Sequence, residues 1–156
     1  YRKFCGTPPL AHLAGLEAAL GLIAAEGLDA VHARHARLAR AVHAAVACWA
    51  EGGALGLFTK PPPARSVSVT AIEVAPGIDP EALRTVARER FQVAVAGGLG
   101  PLQGRVFRIG HLGDINEAMM LGCLAGVEAA MQVQQIVHGR HGVDAAIAAL
   151  AASDPR

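Results

Sequence analysis

Arg108 stands in the run Arg105-Val-Phe-Arg-Ile-Gly110, whose alternation sends Phe107 and Ile109 to one face of a strand and Arg108 to the other, with Val106 and Gly110. A guanidinium in mid-strand is costly to desolvate unless an anion answers it. Its planar fork suits a carboxylate best, through two parallel hydrogen bonds. That anion is either a ligand or an internal partner, with Asp114 and Glu73 as candidates; a solvated sheet face is the third reading. Thr7, followed by Pro8 and Pro9, is the second candidate. Its hydroxyl reads as a helix cap, and a helix start is also half of an anion site, because it presents free N–H groups and a partial positive charge. The two prolines remove two of those donors.

Other residue types offer less chemistry. His35 lies on an apolar stripe and reads as a core histidine, while His138 and His141 sit in a glycine-rich hinge without a third ligand nearby, so no metal site is expected. Gly98-Leu99-Gly100 is not a dinucleotide fingerprint, and no phosphate-cradling lysine loop occurs. No Ser or Cys has the histidine and acid context of a hydrolase. Cys5, Cys48 and Cys123 are odd in number and widely spaced, and read as reduced, buried thiols.

The elements that must carry Arg108 and Thr7 follow from periodicity. Leu10, Leu13, Leu16, Leu20 and Ile23 predict a helix that Thr7 caps and Gly27 stops. Asp29 caps a longer helix whose stripe is Val31, His35, Leu38, Val42, Ala45 and Trp49, ended by Gly52 and Gly53. Strands are expected at Leu55–Thr59 and, after a stiff triple proline, at Ser66–Val74, where Ser-Val-Ser-Val-Thr alternates and Ile72 and Val74 shift parity. Asp79-Pro80-Glu81 opens a helix to about Arg90 with Leu83, Val86 and Ala87 inward. Gln92–Ala96 and Arg105–Ile109 are two further strands joined by a loop, Gly97 to Pro101, rich in backbone freedom. Asp114 and Glu117 form a capping box for a helix that turns Met120, Leu124, Val127 and Met131 inward, ends near Val137, and carries a close-packing Gly122-Cys-Leu-Ala-Gly126 spacing. Asp144 caps a short terminal helix. Two helices, two strands, a helix, two strands and two helices make an α+β fold, a small mostly antiparallel sheet covered by helices.

Composition sets the class. The chain has 156 residues, 53% of them hydrophobic and 17% charged, with a formal net charge of +1, which excludes a disordered tail and the basic excess of a nucleic-acid module. About a fifth of the residues are alanine, so the core is expected to be tight, helical and poor in aromatics. No apolar run is long enough to span a membrane, Met119 to Val133 being interrupted by Gly122, Gly126 and Glu128. No secretory leader pattern opens the chain, and a cytoplasmic location is expected. The first residue is not Met, which reads as a processed or partial product.

Four stretches carry a resemblance: Lys3-Phe-Cys-Gly-Thr-Pro-Pro-Leu-Ala-His-Leu, Glu26-Gly-Leu-Asp with Ala33-Arg-His, Gly97-Gly-Leu-Gly, and above all Arg105-Val-Phe-Arg-Ile-Gly-His-Leu-Gly-Asp114. Together they resemble the C-terminal part of class V aminotransferases, closest to the serine/alanine–glyoxylate group. The resemblance implies a fold type I enzyme that uses pyridoxal 5'-phosphate and works as a homodimer, moving an amino group from a small amino acid such as serine or alanine to glyoxylate or a similar 2-oxo acid. It implies that Arg108 binds the substrate carboxylate and that Thr7 reaches the cofactor phosphate of the other subunit. Phe4 stands where the family often has an aromatic hydroxyl.

Transamination also needs a lysine that holds the cofactor. Neither Lys3 nor Lys60 lies in the family's context for it, so no catalytic residue is expected in this chain and the isolated chain is expected to be inactive. The implied organisation is a connecting helix with the cofactor-phosphate motif over residues 1–27 and a C-terminal small domain over 28–156, the large cofactor-binding domain being absent. Without that domain, helix-one leucines or the loop around Gly97 would be exposed and favour self-association. The competing reading is a non-catalytic, free-standing small domain that dimerises or binds a carboxylate metabolite. Neither nucleic acid nor membrane is an expected partner.

Overall fold

A computed structural model describes residues 5–152, so Lys3 and Phe4 lie outside the described residues. The chain divides into two compact units, Tyr1–Arg34 and His35–Arg156.

The first unit is built on helix α1 (Leu10–Glu26), which starts directly after the two prolines and ends at Gly27 with φ 90. The expected Thr7 cap does not form: Pro9 occupies the capping position and no side chain bonds the helix start. Pro8 and Pro9 have no N–H to offer, and the Leu10 N–H already donates to the Pro8 carbonyl. No residue of α1 is buried, and Leu10, Leu13, Leu16, Leu20 and Ile23 are all exposed. Helix α2 (Leu28–Ala50) begins one residue before Asp29, which therefore sits in its first turn rather than at its cap. The turn at Gly27 is closed by a forked ion pair that the sequence reading missed, Arg34 Nε and Nη2 donating to the two Glu26 carboxylate oxygens at 2.7 and 2.8 Å.

In the second unit the continuation of α2 buries Leu38, Val42, Ala45, Val46 and Trp49. The sheet is formed by β1 (Leu55–Leu57), β2 (Val69–Val74), β3 (Ala96–Gly97) and β4 (Val106–Gly110). Their order is β1-β2-β4-β3, and every pairing is antiparallel. Helices α3 (Pro80–Phe91), α4 (Glu117–Val133) and α5 (Gly142–Ala151) complete the α+β architecture. The core joins Ile72, Phe107 and Ile109 of the sheet to Leu83 and Ala87 of α3 and to Met120, Leu124, Val127 and Met131 of α4. Gly126 lets α4 approach the end of α3, since a Cβ there would meet the Val93 side chain at 2.5 Å, whereas Gly122 faces open space.

Several local expectations are corrected. β2 begins at Val69, not Ser66, because Ser66 and Ser68 turn on each other through a hydroxyl bond of 2.9 Å. Its core face is Thr70 and Ile72, so the parity shift marks the end of the lead-in rather than a bulge. Residues 92–95 are not a strand: Gln92 takes the left-handed conformation with φ 57 that closes α3. Asp79 does cap α3, accepting from the Glu81 N–H at 2.8 Å. Asn116, not Asp114, caps α4 and accepts from the Met119 N–H at 2.9 Å, and α4 stops at Val133. His141, left-handed with φ 73, precedes α5, with Asp144 in the first turn. Cys5 is exposed and Cys48 and Cys123 are half-buried, all three free. Among the described residues, no helix is long and apolar enough to cross a membrane.

Candidate functional site

β4 lies between β2 and β3, and Arg108 faces Ala71 on one side and Ala96 on the other. Only methyl groups flank it on those strands, so the side chain has room to leave the sheet. It is half-buried, and its Nε donates to the Gly97 carbonyl at 2.8 Å. Among the described residues no carboxylate lies within ion-pair distance of it. Neither suggested internal partner is engaged. Glu73, opposite Val106 and diagonal to Arg108, is taken by Lys60, and Asp114 is exposed beyond the strand. With Nε committed, Nη1 and Nη2 are left as an end-on fork, the geometry that two coplanar carboxylate oxygens match.

A second guanidinium supports this edge. Arg84 on α3 donates through Nε to the Val95 carbonyl at 2.8 Å and pairs with Glu81 through Nη1. A Cβ on Gly97 would meet Arg84 Nη1 and Glu81 Oε1, each at 2.7 Å, and one on Gly98 would collide with the Leu102 carbonyl. Gly98 is therefore needed for close approach, whereas the atoms that a Cβ on Gly97 would meet are the movable ends of two long side chains; of the Gly97 to Pro101 loop, it is Gly100, with φ +52, that uses glycine's backbone freedom. A small cavity of about 200 Å³ lies at this edge, lined by Glu81, Arg84 and Val95. A cleft of about 630 Å³ between the end of α4 and α5 is lined by Gln132, Gln135, His138, Arg140 and Asp144, and Arg108 is not on it.

Thr7 is exposed three residues before α1 and makes no side-chain hydrogen bond among the described residues. Lys60 is held by Glu73. The one described lysine is thus already paired.

Residues 1–105 match the family described as Aminotransferase class-V. The chain belongs to that family. Arg108 lies just past the matched stretch, so its role is argued from geometry. The class-V chain is 46% identical over 122 residues to serine–glyoxylate aminotransferase of Arabidopsis thaliana, covering 78% of this chain and 29% of that protein. It is 43% identical over 125 residues to L-aspartate–glyoxylate aminotransferase of Paracoccus denitrificans, covering 80% of this chain and 31% of that one. Pyridoxamine–pyruvate aminotransferase from Mesorhizobium loti superposes with a TM-score of 0.88 at 32% identity, over 97% of this chain and 38% of that chain. The class-V chain therefore spans about a third of the length of such relatives.

The sequence reading missed the most buried polar side chain among the described residues. His111, fully buried, donates from Nδ1 to the Val67 carbonyl at 2.9 Å and accepts at Nε2 from the Thr70 hydroxyl at 2.9 Å. Extending the alternation of Phe107 and Ile109 by one step would have placed it inward. His35, read as a core histidine, is half-buried and accepts from the Gly113 N–H at Nε2, 3.1 Å away. His138 donates to the Ile136 carbonyl at 2.7 Å, and His141 pairs with Asp144 at 2.8 Å. Among the described residues, no three His, Cys, Asp or Glu side chains gather as a metal site.

His43 on α2 meets the His111 ring edge to face at 6.2 Å. Burial, then His111, then Arg65 push its pKa from 6.5 down to about 4. Burial also lowers that of His111. Between about pH 6.5 and 4 the unfolded chain binds more protons at His43 than the folded one, so this contribution to stability is complete above pH 6.5 and lost as pH falls toward 4. The urea midpoint is expected to drop across that window, and less steeply in His43→Gln. Equal slopes for the two proteins would contradict the assignment.

Proposed function

We propose that the protein to which this chain contributes transfers an amino group from a small amino acid, serine or alanine, to glyoxylate or a similar 2-oxo acid, with pyridoxal 5'-phosphate as cofactor. The observation that carries this reading is the Arg108 fork, fixed at Nε and free of any described carboxylate. The relatives' names support the substrate class.

In this reading residues 1–27 are the connecting helix with the phosphate motif and 28–156 the small domain, and the cofactor lysine lies in a large domain outside this chain. When bound, the cofactor supplies an electron sink for negative charge at the substrate Cα. Arg108 holds the carboxylate of the amino acid and then of the oxo acid in one place, so that both halves of the exchange use the same geometry. Thr7 donates its hydroxyl to the cofactor phosphate of the other subunit in a homodimer. The exposed α1 leucines then face a surface that the whole, cytoplasmic protein covers.

Borohydride reduction after addition of pyridoxal phosphate tests the assignment of the lysine. The 156-residue chain is expected to show no specific label by peptide mapping, and the whole protein one label on a lysine outside these residues. A specific label on Lys60 or Lys3 would overturn the reading and favour a chain with its own cofactor chemistry.

A further inference from the structure

The fork of Arg108 is only as fixed as the carbonyl that holds its Nε. That carbonyl belongs to Gly97, on a strand of two residues that ends the sheet and pairs with β4 alone. The pairing sets which residues stand opposite each other, but a strand this short is marginal by itself and free to tilt off its one neighbour. Val93 and Val95 lay their side chains against the core just before it. Further along that anchoring stops, because the Ala96 side is exposed and Gly97 has no side chain to pack. Between α3 and residues 94–95 lies the cavity of about 200 Å³, so apolar contact does not fill the space there.

We propose that Arg84 is a positioning residue for substrate binding: it ties β3 to α3 and so holds the Gly97 carbonyl where Arg108 needs it. Its backbone is fixed by the core, since Leu83 beside it and Ala87 three residues on are both buried. Its Nε donates to the Val95 carbonyl at 2.8 Å, and its guanidinium lies against Gly97 in the place a β-carbon would take. One planar group therefore touches the chain on either side of Ala96. Gly97 stands opposite Phe107 and shares its inward face, whereas Arg108 stands on the other face, so the two arginines grip the strand from opposite sides. Glu81, one turn earlier on α3, pairs with Nη1 and keeps the plane turned toward the sheet. A charge-assisted bond of this kind fixes direction as well as distance, which an apolar contact at a glycine cannot do.

The inference rests on the reading of Arg108 as the carboxylate-binding residue, and the experiment separates the two. Arg84→Met, which keeps the stem and removes the guanidinium, and Glu81→Gln are made in the whole enzyme, each alone and each combined with Arg108→Ala, with kcat and KM measured for the amino donor. Arg84→Met is expected to raise KM by about threefold or more with little change in kcat, and Glu81→Gln to act in the same direction more weakly. In the Arg108→Ala background both are expected to leave kcat/KM where Arg108→Ala alone sets it, because a residue that works through Arg108 then has nothing left to position. Hydrogen exchange read by mass spectrometry should be faster over residues 94–98 in Arg84→Met and unchanged in α4. An unchanged KM in Arg84→Met while Arg108→Ala lowers kcat/KM overturns the inference and leaves the reading of Arg108 standing. An equal loss of kcat/KM with and without Arg108 overturns it too, since Arg84 would then act on the fold at large. Unchanged exchange over residues 94–98 does the same. An unchanged kcat/KM in Arg108→Ala overturns the reading of Arg108 and the inference with it. If Arg84→Met does not fold, Glu81→Gln carries the same comparisons.

Discussion

Replacing Arg108 with alanine is expected to lower kcat/KM for the amino donor of the whole enzyme by about 30-fold to several thousand-fold, the range that about 2–5 kcal/mol from a buried charge pair implies. The loss should appear for the oxo acid as well, because the same fork is asked to hold both carboxylates. Arg108→Lys restores charge without the fork and without the Nε bond to Gly97, so it should recover only part of the loss. Steady-state kinetics with both substrates of the exchange check this. Equal kcat/KM in parent and Arg108→Ala would remove the carboxylate role and leave the arginine as a support for the β3 edge. Thermal melting distinguishes that outcome, since the lost Gly97 bond would then show as stability alone.

The largest effect on stability is expected at the opposite end of the second unit. Trp49 is fully buried, and its Nε1 donates to Glu128 Oε2 at 2.8 Å; the same oxygen accepts the Val143 N–H at 3.2 Å. The indole thus ties α2, α4 and the first turn of α5 at one carboxylate oxygen. Gly142 rests so closely on the ring that a Cβ there would collide with it, and a Cβ on Gly139 would collide with the Cys48 carbonyl. Trp49→Ala should cost about 3–5 kcal/mol, from the cavity and the lost transfer energy together. Trp49→Phe, which keeps most of the ring volume but removes one of the two donors to Glu128 Oε2, should cost about 1–3 kcal/mol. Urea unfolding followed by circular dichroism gives both numbers, and hydrogen exchange should show the amides of α5 exposed first. A Trp49→Ala protein within about 1 kcal/mol of the parent would mean that the C-terminal helix is not docked through this residue.

Much of the architecture was legible because its signals are local. Glycines and prolines punctuate the helices, and the stripes of α2, α3 and α4 point inward where their periodicity says they should. The errors have physical causes of the same scale. Val67 and Val69 continue the alternation of β2 into a segment where two serine hydroxyls bond each other. Gln92 looked extended, yet its left-handed conformation closes α3. Asp114 and Asn116 are both good caps two residues apart, and only the position of the Met119 N–H decides between them. The candidate site divides in the same way. Strand parity placed Arg108 on its face. That it has no carboxylate partner among the described residues goes with Lys60 reaching Glu73, a contact set by tertiary proximity that no spacing reports.

The bond from Arg108 Nε to Gly97 also bears on timing. A free arginine carries about 2 kcal/mol of rotamer entropy, part of which a ligand must quench each time it binds. Here the backbone of β3 has already quenched much of it when the sheet forms. An exchange that alternates amino acid and oxo acid would visit such a fork repeatedly, and each visitor would meet a side chain with little search left to make.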